Sequence, residues 1–129
     1  MSSPADRRYT KTHEWVSLDG DIATIGITDF AQSELGDITY LELPEIGDTI
    51  AIDQAFGIVE SVKAANDIFS PITGEVIERN DDALSAPETI NASPYDRAWL
   101  VRVRVDNPEQ IAQLMNAEDY DAFAHASAH

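Results

Sequence analysis

The chain has 129 residues, with 24 acidic and 8 basic side chains and a formal net charge of −16. Such a field repels phosphate backbones, and no Lys/Arg cluster offers a local exception, which excludes nucleic acid as a partner. The absence of cysteine excludes a thiol nucleophile, a cysteine metal site and a disulfide framework.

The acidic surface serves solubility, or it draws in a partner with a basic docking face. The length suits one domain over residues 1–129, with the folded part at about 9–123, large enough to need no metal or disulfide staple. No apolar stretch follows Met1–Arg8, and no run approaches the length of a membrane span. The expectation is a soluble monomer without membrane contact, cytoplasmic, a processed mitochondrial form being the alternative.

The first element reads as a hairpin. His13–Leu18 and Asp21–Ile27 flank Asp19-Gly20, a pair suited to a two-residue turn. A short helix follows, capped by Thr28 or Asp29, with Phe30, Ala31 and Leu35 inward and Gly36 at its stop. Strand pattern resumes at Ile38–Leu43 and breaks at Pro44. Turn signals then recur at Gly47-Asp48, Asp53, Pro71, Gly74 and Asn80-Asp81-Asp82, separating short runs such as Ala55–Val62 and Gly74–Glu78. Many short strands with regular breakers predict a small all-β sandwich or barrel.

Gly47-Asp48-Thr49-Ile50 and Gly74-Glu75-Val76-Ile77 form a faint internal echo. Leu84–Tyr95, with two prolines, reads as an irregular crossing loop. Trp99–Val105 is the clearest strand, with Trp99, Val101, Val103 and Val105 on a core face. Near the C-terminus, Asn107 caps and Pro108 opens a helix with Ile111, Leu114 and Met115 inward. A second stripe follows at Tyr120, Phe123 and Ala124.

Few residues suggest self-sufficient catalysis. His13 is remote from His125 and His129, whose four-residue spacing allows only weak chelation in a helical tail. Ser61 has no nucleophile elbow and no organising base, and no Gly-rich phosphate loop is present. Lys63, one of two lysines, stands out between Val62 and Ala64 as an ammonium without a basic neighbour or bulky screen. A solvated surface lysine is the plain reading, and an attachment point for a prosthetic group is the functional one.

Glu60-Ser61-Val62-Lys63-Ala64-Ala65, with Phe56-Gly57 before it and Ser70–Val76 after it, resembles the lipoyl-attachment signature of the glycine cleavage H-protein family. Tyr9-Thr10-Lys11 with His13–Val16, Gly26–Gln32 with Leu35–Ile38, Leu43-Pro44, Ile90-Asn91 with Ser93–Tyr95, and Trp99-Leu100 resemble further blocks of that family, in order. The likeness covers about Tyr9 to Phe123. It implies a mainly β barrel-sandwich hybrid of two antiparallel sheets with short helices and a C-terminal helical segment. The attachment lysine then lies at a hairpin tip, although Val62–Ala65 lacks the Gly or Asn-Gly of a tight turn and Asn66-Asp67 is the nearest turn chemistry.

The resemblance further implies a carrier and not an enzyme. Lipoate is expected as an amide on Lys63, attached by a lipoate-attaching enzyme. The carrier would shuttle the aminomethyl group of glycine from a PLP-dependent glycine decarboxylase to a tetrahydrofolate-dependent aminomethyltransferase. Dihydrolipoamide dehydrogenase, a flavoprotein, would reoxidise it. Glu14, Thr12 and Asp67 are the residues carried over as cleft contacts to the loaded arm, where a carboxylate favours a cationic amine; ordinary surface acids are the plain reading of Glu14 and Asp67. Glu34 stands where some family members have histidine, so its role is open. A lipoyl relay that donates to other enzymes is the alternative. A biotin carrier is disfavoured, because Val62 and Ala64 stand where biotin sites have methionines.

Overall fold

The computed structural model describes residues 3–127. Among these, nine strands form two antiparallel sheets joined by short helices. The larger sheet contains β1 (Arg8–Tyr9), β2 (Glu14–Asp19), β3 (Ile22–Ile27), β5 (Thr49–Ile50), β8 (Gly74–Arg79) and β9 (Val101–Val105), in the order β1-β2-β3-β9-β8-β5. The smaller contains β4 (Ile38–Glu42), β6 (Ala55–Ser61) and β7 (Ala65–Phe69), in the order β4-β6-β7. This is the mainly β core expected from the turn spacing, in the two-antiparallel-sheet arrangement that the family resemblance implies.

Alternating residues of both sheets make the interior. Val16, Ala23, Ile25, Val76, Val101 and Val103 form one buried cluster, and Ile27, Leu41, Val59, Ile68 and Leu100 belong to a second. Leu43 and Phe56 pack against both and make the core continuous. The two halves of the internal echo are partners: Thr49 pairs with Glu75 and Ile50 with Gly74.

The first hairpin forms one residue later than expected. Asp19 pairs with Ile22, so the turn is Gly20-Asp21, and φ of 65° at Gly20 explains why. A two-residue turn that matches strand twist needs positive φ at its first central residue, which glycine adopts without a Cβ penalty. Helix α1 (Asp29–Leu35) follows, with Thr28 Oγ1 accepting from Ala31 N–H at 3.1 Å and Gly36 at its end. Gly26 has a different constraint. It lies opposite Trp15, whose ring would be 2.5 Å from an added Cβ.

The expected loop at Leu84–Tyr95 instead contains the end of α2 (Asp81–Ser85) and all of α3 (Thr89–Ala92). Asn80, read as a turn residue, caps α2 by accepting from Ala83 N–H at 3.2 Å. Its amide donates to the carbonyls of Arg97 and Trp99 at 2.9 and 2.6 Å. Asn91 accepts from Ile38 N–H and donates to Gly36 O and Gln32 Oε1, each at 2.9 Å. Helices this short are marginal by propensity and depend on such tertiary contacts.

Trp99 is also displaced from its expected place. The strand begins at Val101, Leu100 takes the buried position, and Trp99 is half-buried with the Arg102 guanidinium 4.0 Å from its ring centroid. The ring still packs against a core cluster that includes Tyr9, Trp15 and Phe30, and stacking against the cation covers it further.

Near the C-terminus, Asn107 Oδ1 accepts from Glu109 N–H at 3.1 Å, but the helix α4 (Glu109–Ala112) is only one turn. Leu114 and Met115 therefore fall beyond it. Met115 instead exchanges backbone hydrogen bonds with Tyr9 at 2.9 and 3.1 Å. Helix α5 (Ala117–Ser127) then packs Tyr120 and Ala124 into an aromatic cluster with Tyr9, Trp15 and Phe30. Among the described residues no helix is long and apolar enough to cross a membrane.

Candidate functional site

The β6–β7 hairpin projects from the smaller sheet. Glu60 pairs with Ala65, which leaves Ser61-Val62-Lys63-Ala64 as its tip. Ser61 closes it: its N–H donates to Ala64 O at 2.8 Å, and its Oγ accepts from the N–H groups of Lys63 and Ala64, both at 3.2 Å. A serine hydroxyl thus performs the local turn chemistry usually sought in Gly or Asn. Asn66 and Asp67 are not turn residues; they pair with Val59 and Ile58 within the ladder. Val62 N–H donates to Asp37 O at 3.1 Å and ties the tip to the chain after α1. Val62 is 69% exposed and Lys63 is exposed, with Nζ 3.4 Å from Glu34 O.

Beside Lys63 lies a cleft of about 440 Å³ between α1, the β1–β2 loop and β7. Ile27, Phe30, Leu35, Val59 and Ile68 give it apolar walls, while Thr12, His13, Glu14, Glu34 and Asp67 supply polar groups. Two pairs far apart in the chain, Thr12 with Glu14 and Lys63 with Asp67, therefore border one space. Strand β2 begins at Glu14, the β1–β2 loop brings Thr12, and β7 brings Asp67.

Glu14 is unusual. It is 2% exposed, and its Oε1 accepts from the hydroxyls of Thr10, at 2.7 Å, and Thr12. Its Oε2 accepts from Phe69 N–H at 3.3 Å. These bonds stabilise the carboxylate, but burial outweighs them and pushes its pKa up to about 7. Thr12 and Asp67 are exposed and leave the cleft open to water on that side.

His13 joins this site without having been singled out by the sequence pattern. Its ring lines the cleft, its Nδ1 is 2.7 Å from Tyr120 Oη, and burial lowers its pKa. His125 lies on α5 and does not line this cleft; His129, the other member of the four-residue pair, lies outside the described residues. Among the described residues, no group of three or more His, Cys, Asp or Glu side chains could hold a metal ion.

A family model described as Glycine cleavage H-protein matches residues 7–127. The chain belongs to the glycine cleavage H-protein family. The H protein of Phenylobacterium zucineum is 52% identical over 116 residues, covering 90% of this chain and 96% of that protein. The one from Bacillus licheniformis is 50% identical over 121 residues, covering 94% and 95%. A crystal structure of the H protein of Mycobacterium marinum superposes with a TM-score of 0.86 at 33% identity, covering 98% of this chain and 100% of that one.

Membership makes this chain a non-catalytic lipoyl carrier of glycine cleavage. Its residues fit the group. An exposed primary amine sits at a hairpin tip, and the adjoining cleft offers apolar walls to a hydrocarbon arm together with polar acceptors.

Proposed function

We propose that Lys63 carries lipoate as an amide and that the cleft beside it shelters the loaded arm, with Glu14, Thr12 and Asp67 holding the cationic amine of the cargo. When bound, lipoate supplies the disulfide–dithiol chemistry and the sulfur that takes the one-carbon unit. The protein's own residues orient and protect. Ile27, Phe30, Leu35, Val59 and Ile68 keep water from the arm, and Glu14 provides the buried acceptor. A cation beside Glu14 favours its carboxylate form, and Glu14 in turn keeps the amine protonated. Protonation removes the lone pair that would otherwise assist loss of the cargo.

Within the glycine cleavage system, the partners that follow are glycine decarboxylase, the tetrahydrofolate-dependent aminomethyltransferase, dihydrolipoamide dehydrogenase and the lipoate-attaching enzyme. Their docking onto the acidic surface would be accelerated by basic faces and slowed by salt. The observation that carries this reading is the shared cleft of Lys63 and buried Glu14.

Intact-mass analysis with peptide mapping tests the attachment: one lipoyl addition on Lys63 is expected, and none in a lipoylation-competent host would overturn it. Glycine-dependent CO₂ exchange with the decarboxylase is the functional assay. Lipoylated protein that supports no exchange would instead place the chain in a lipoyl relay.

A further inference from the structure

His13 lines the same cleft as Thr12, Glu14 and Asp67. His13 ends the four-residue loop Thr10–His13 between β1 and β2, whose Thr10 N–H donates to Glu14 O at 3.0 Å. The residue has φ of 72°, the left-handed conformation that ends such loops and that favours glycine. A side chain there is strained by the contact of its Cβ with the backbone. In return the imidazole is held with its centroid 4.7 Å from that of Phe30, lining the cleft, with Nδ1 against Tyr120 Oη at 2.7 Å.

The contact continues inward. Tyr120 Oη is 2.6 Å from Thr28 Oγ1, which accepts from Ala31 N–H at 3.1 Å. Tyr120 and Thr28 are both fully buried, so each hydroxyl proton needs an acceptor inside this chain of groups. One proton arrangement satisfies both: Thr28 donates to Tyr120, and Tyr120 donates to His13 Nδ1. If Nδ1 carried the proton, it would donate to Tyr120. Tyr120 would then have to donate to Thr28, leaving the Thr28 proton without an acceptor among the described residues; otherwise the Tyr120 proton itself would have none. Either orphan leaves a buried hydroxyl proton unsatisfied, which disfavours that arrangement.

We propose that His13 is a positioning residue of the cleft, held by Tyr120 in the tautomer with its proton on Nε2, so that it offers a donor to an acceptor atom of the arm while Glu14, Thr12 and Asp67 take its cationic end. The identity of the occupant rests on the reading above; the tautomer does not. Nε2 makes no hydrogen bond among the described residues, so it is available to an occupant. Burial keeps the ring neutral, against the opposing pull of Glu34. A neutral donor orients the arm without adding a second cation to a site built for one.

Long-range ¹H–¹⁵N correlation spectra of the unmodified, ¹⁵N-labelled protein at pH 7.5 test this directly. The expected pattern is an unprotonated, pyridine-type Nδ1 and a protonated, pyrrole-type Nε2 for His13. A protonated Nδ1 overturns the proposal, and this spectrum of the parent needs no variant to fold. Tyr120→Phe keeps the ring stack with Tyr9 and should turn the single tautomer into a mixture; an unchanged single tautomer would overturn the role of Tyr120. In lipoylated protein loaded with glycine and the decarboxylase, the His13 Nε2–H signal should move relative to the unmodified form. A signal that does not move would overturn the donor role in the cleft. Absence of lipoylation would defeat the carrier reading and leave the tautomer result standing.

Discussion

Glu14→Gln isolates the energetic consequence of placing a carboxyl in the cleft. In the unfolded chain this glutamate loses its proton near 4.5, and in the folded protein near 7. Below about 4.5 both states hold the proton and the group has no pH-dependent effect. Between 4.5 and 7 the folded state binds more protons than the unfolded one, so stability falls as pH rises. Above 7 both states are ionised, and the folded protein retains the full penalty of a buried charge. The separation of the two values corresponds to about 3 kcal/mol.

Glutamine keeps the shape and cannot ionise. Because Thr10 and Thr12 have hydroxyls that accept as well as donate, its amide can be satisfied with its oxygen turned to Phe69 N–H. Urea unfolding of the unmodified parent and variant, followed by the fluorescence of Trp15 and Trp99, gives the difference in stability at each pH. Every other titrating group cancels to first order in that difference. The variant should gain on the parent by about 3 kcal/mol between pH 4.5 and 7.5, or about 10 °C in Tm for a domain of this size. A difference that stays flat with pH would refute the reasoning, since it would mean that Glu14 ionises as readily folded as unfolded.

Ser61→Ala removes the acceptor that closes the hairpin tip and should cost about 1 kcal/mol. It should also slow lipoylation of Lys63 by a lipoate-attaching enzyme several-fold, read by timed mass spectrometry; Ser61→Thr should restore the rate, and equal rates for parent and alanine variant would reject the turn role. Gly26→Ala places a Cβ against Trp15, whose Nε1–H donates to Pro94 O at 3.0 Å and whose ring is covered by Arg7 at 4.4 Å. With the indole held on both sides, a loss of about 1–3 kcal/mol is expected in thermal unfolding, and an unchanged Tm would show that the ring shifts freely. Asn80→Ala deprives the Ala83 N–H and the Arg97 and Trp99 carbonyls of their partner. About 2–3 kcal/mol should be lost, with α2 exchanging its amide hydrogens faster than the sheets; uniform exchange would contradict a local cap.

Short alternating runs between regular turn signals determined the all-β class, because each strand half-buries itself and writes that fact into every second position; the two-sheet arrangement came with the family resemblance. Thr28 as a cap, Asp19-Gly20 as the vicinity of a turn and Val101–Val105 as a core strand were legible for the same local reason. The blocks around Tyr9, Gly26 and Lys63 carried the family resemblance, and with it the carrier role. Other features depend on neighbours distant in sequence. The helices at 81–85 and 89–92 are too short to announce themselves, and exist because Asn80 and Asn91 find carbonyls elsewhere in the fold. The lysine tip is closed by a serine whose role depends on its hydroxyl orientation. Above all, nothing in the string places Glu14 inside and Asp67 outside. Burial of a charge is decided by which surfaces meet, and only the packing of the β1–β2 loop, α1 and β7 around one cleft makes Glu14 and His13 neighbours of Lys63.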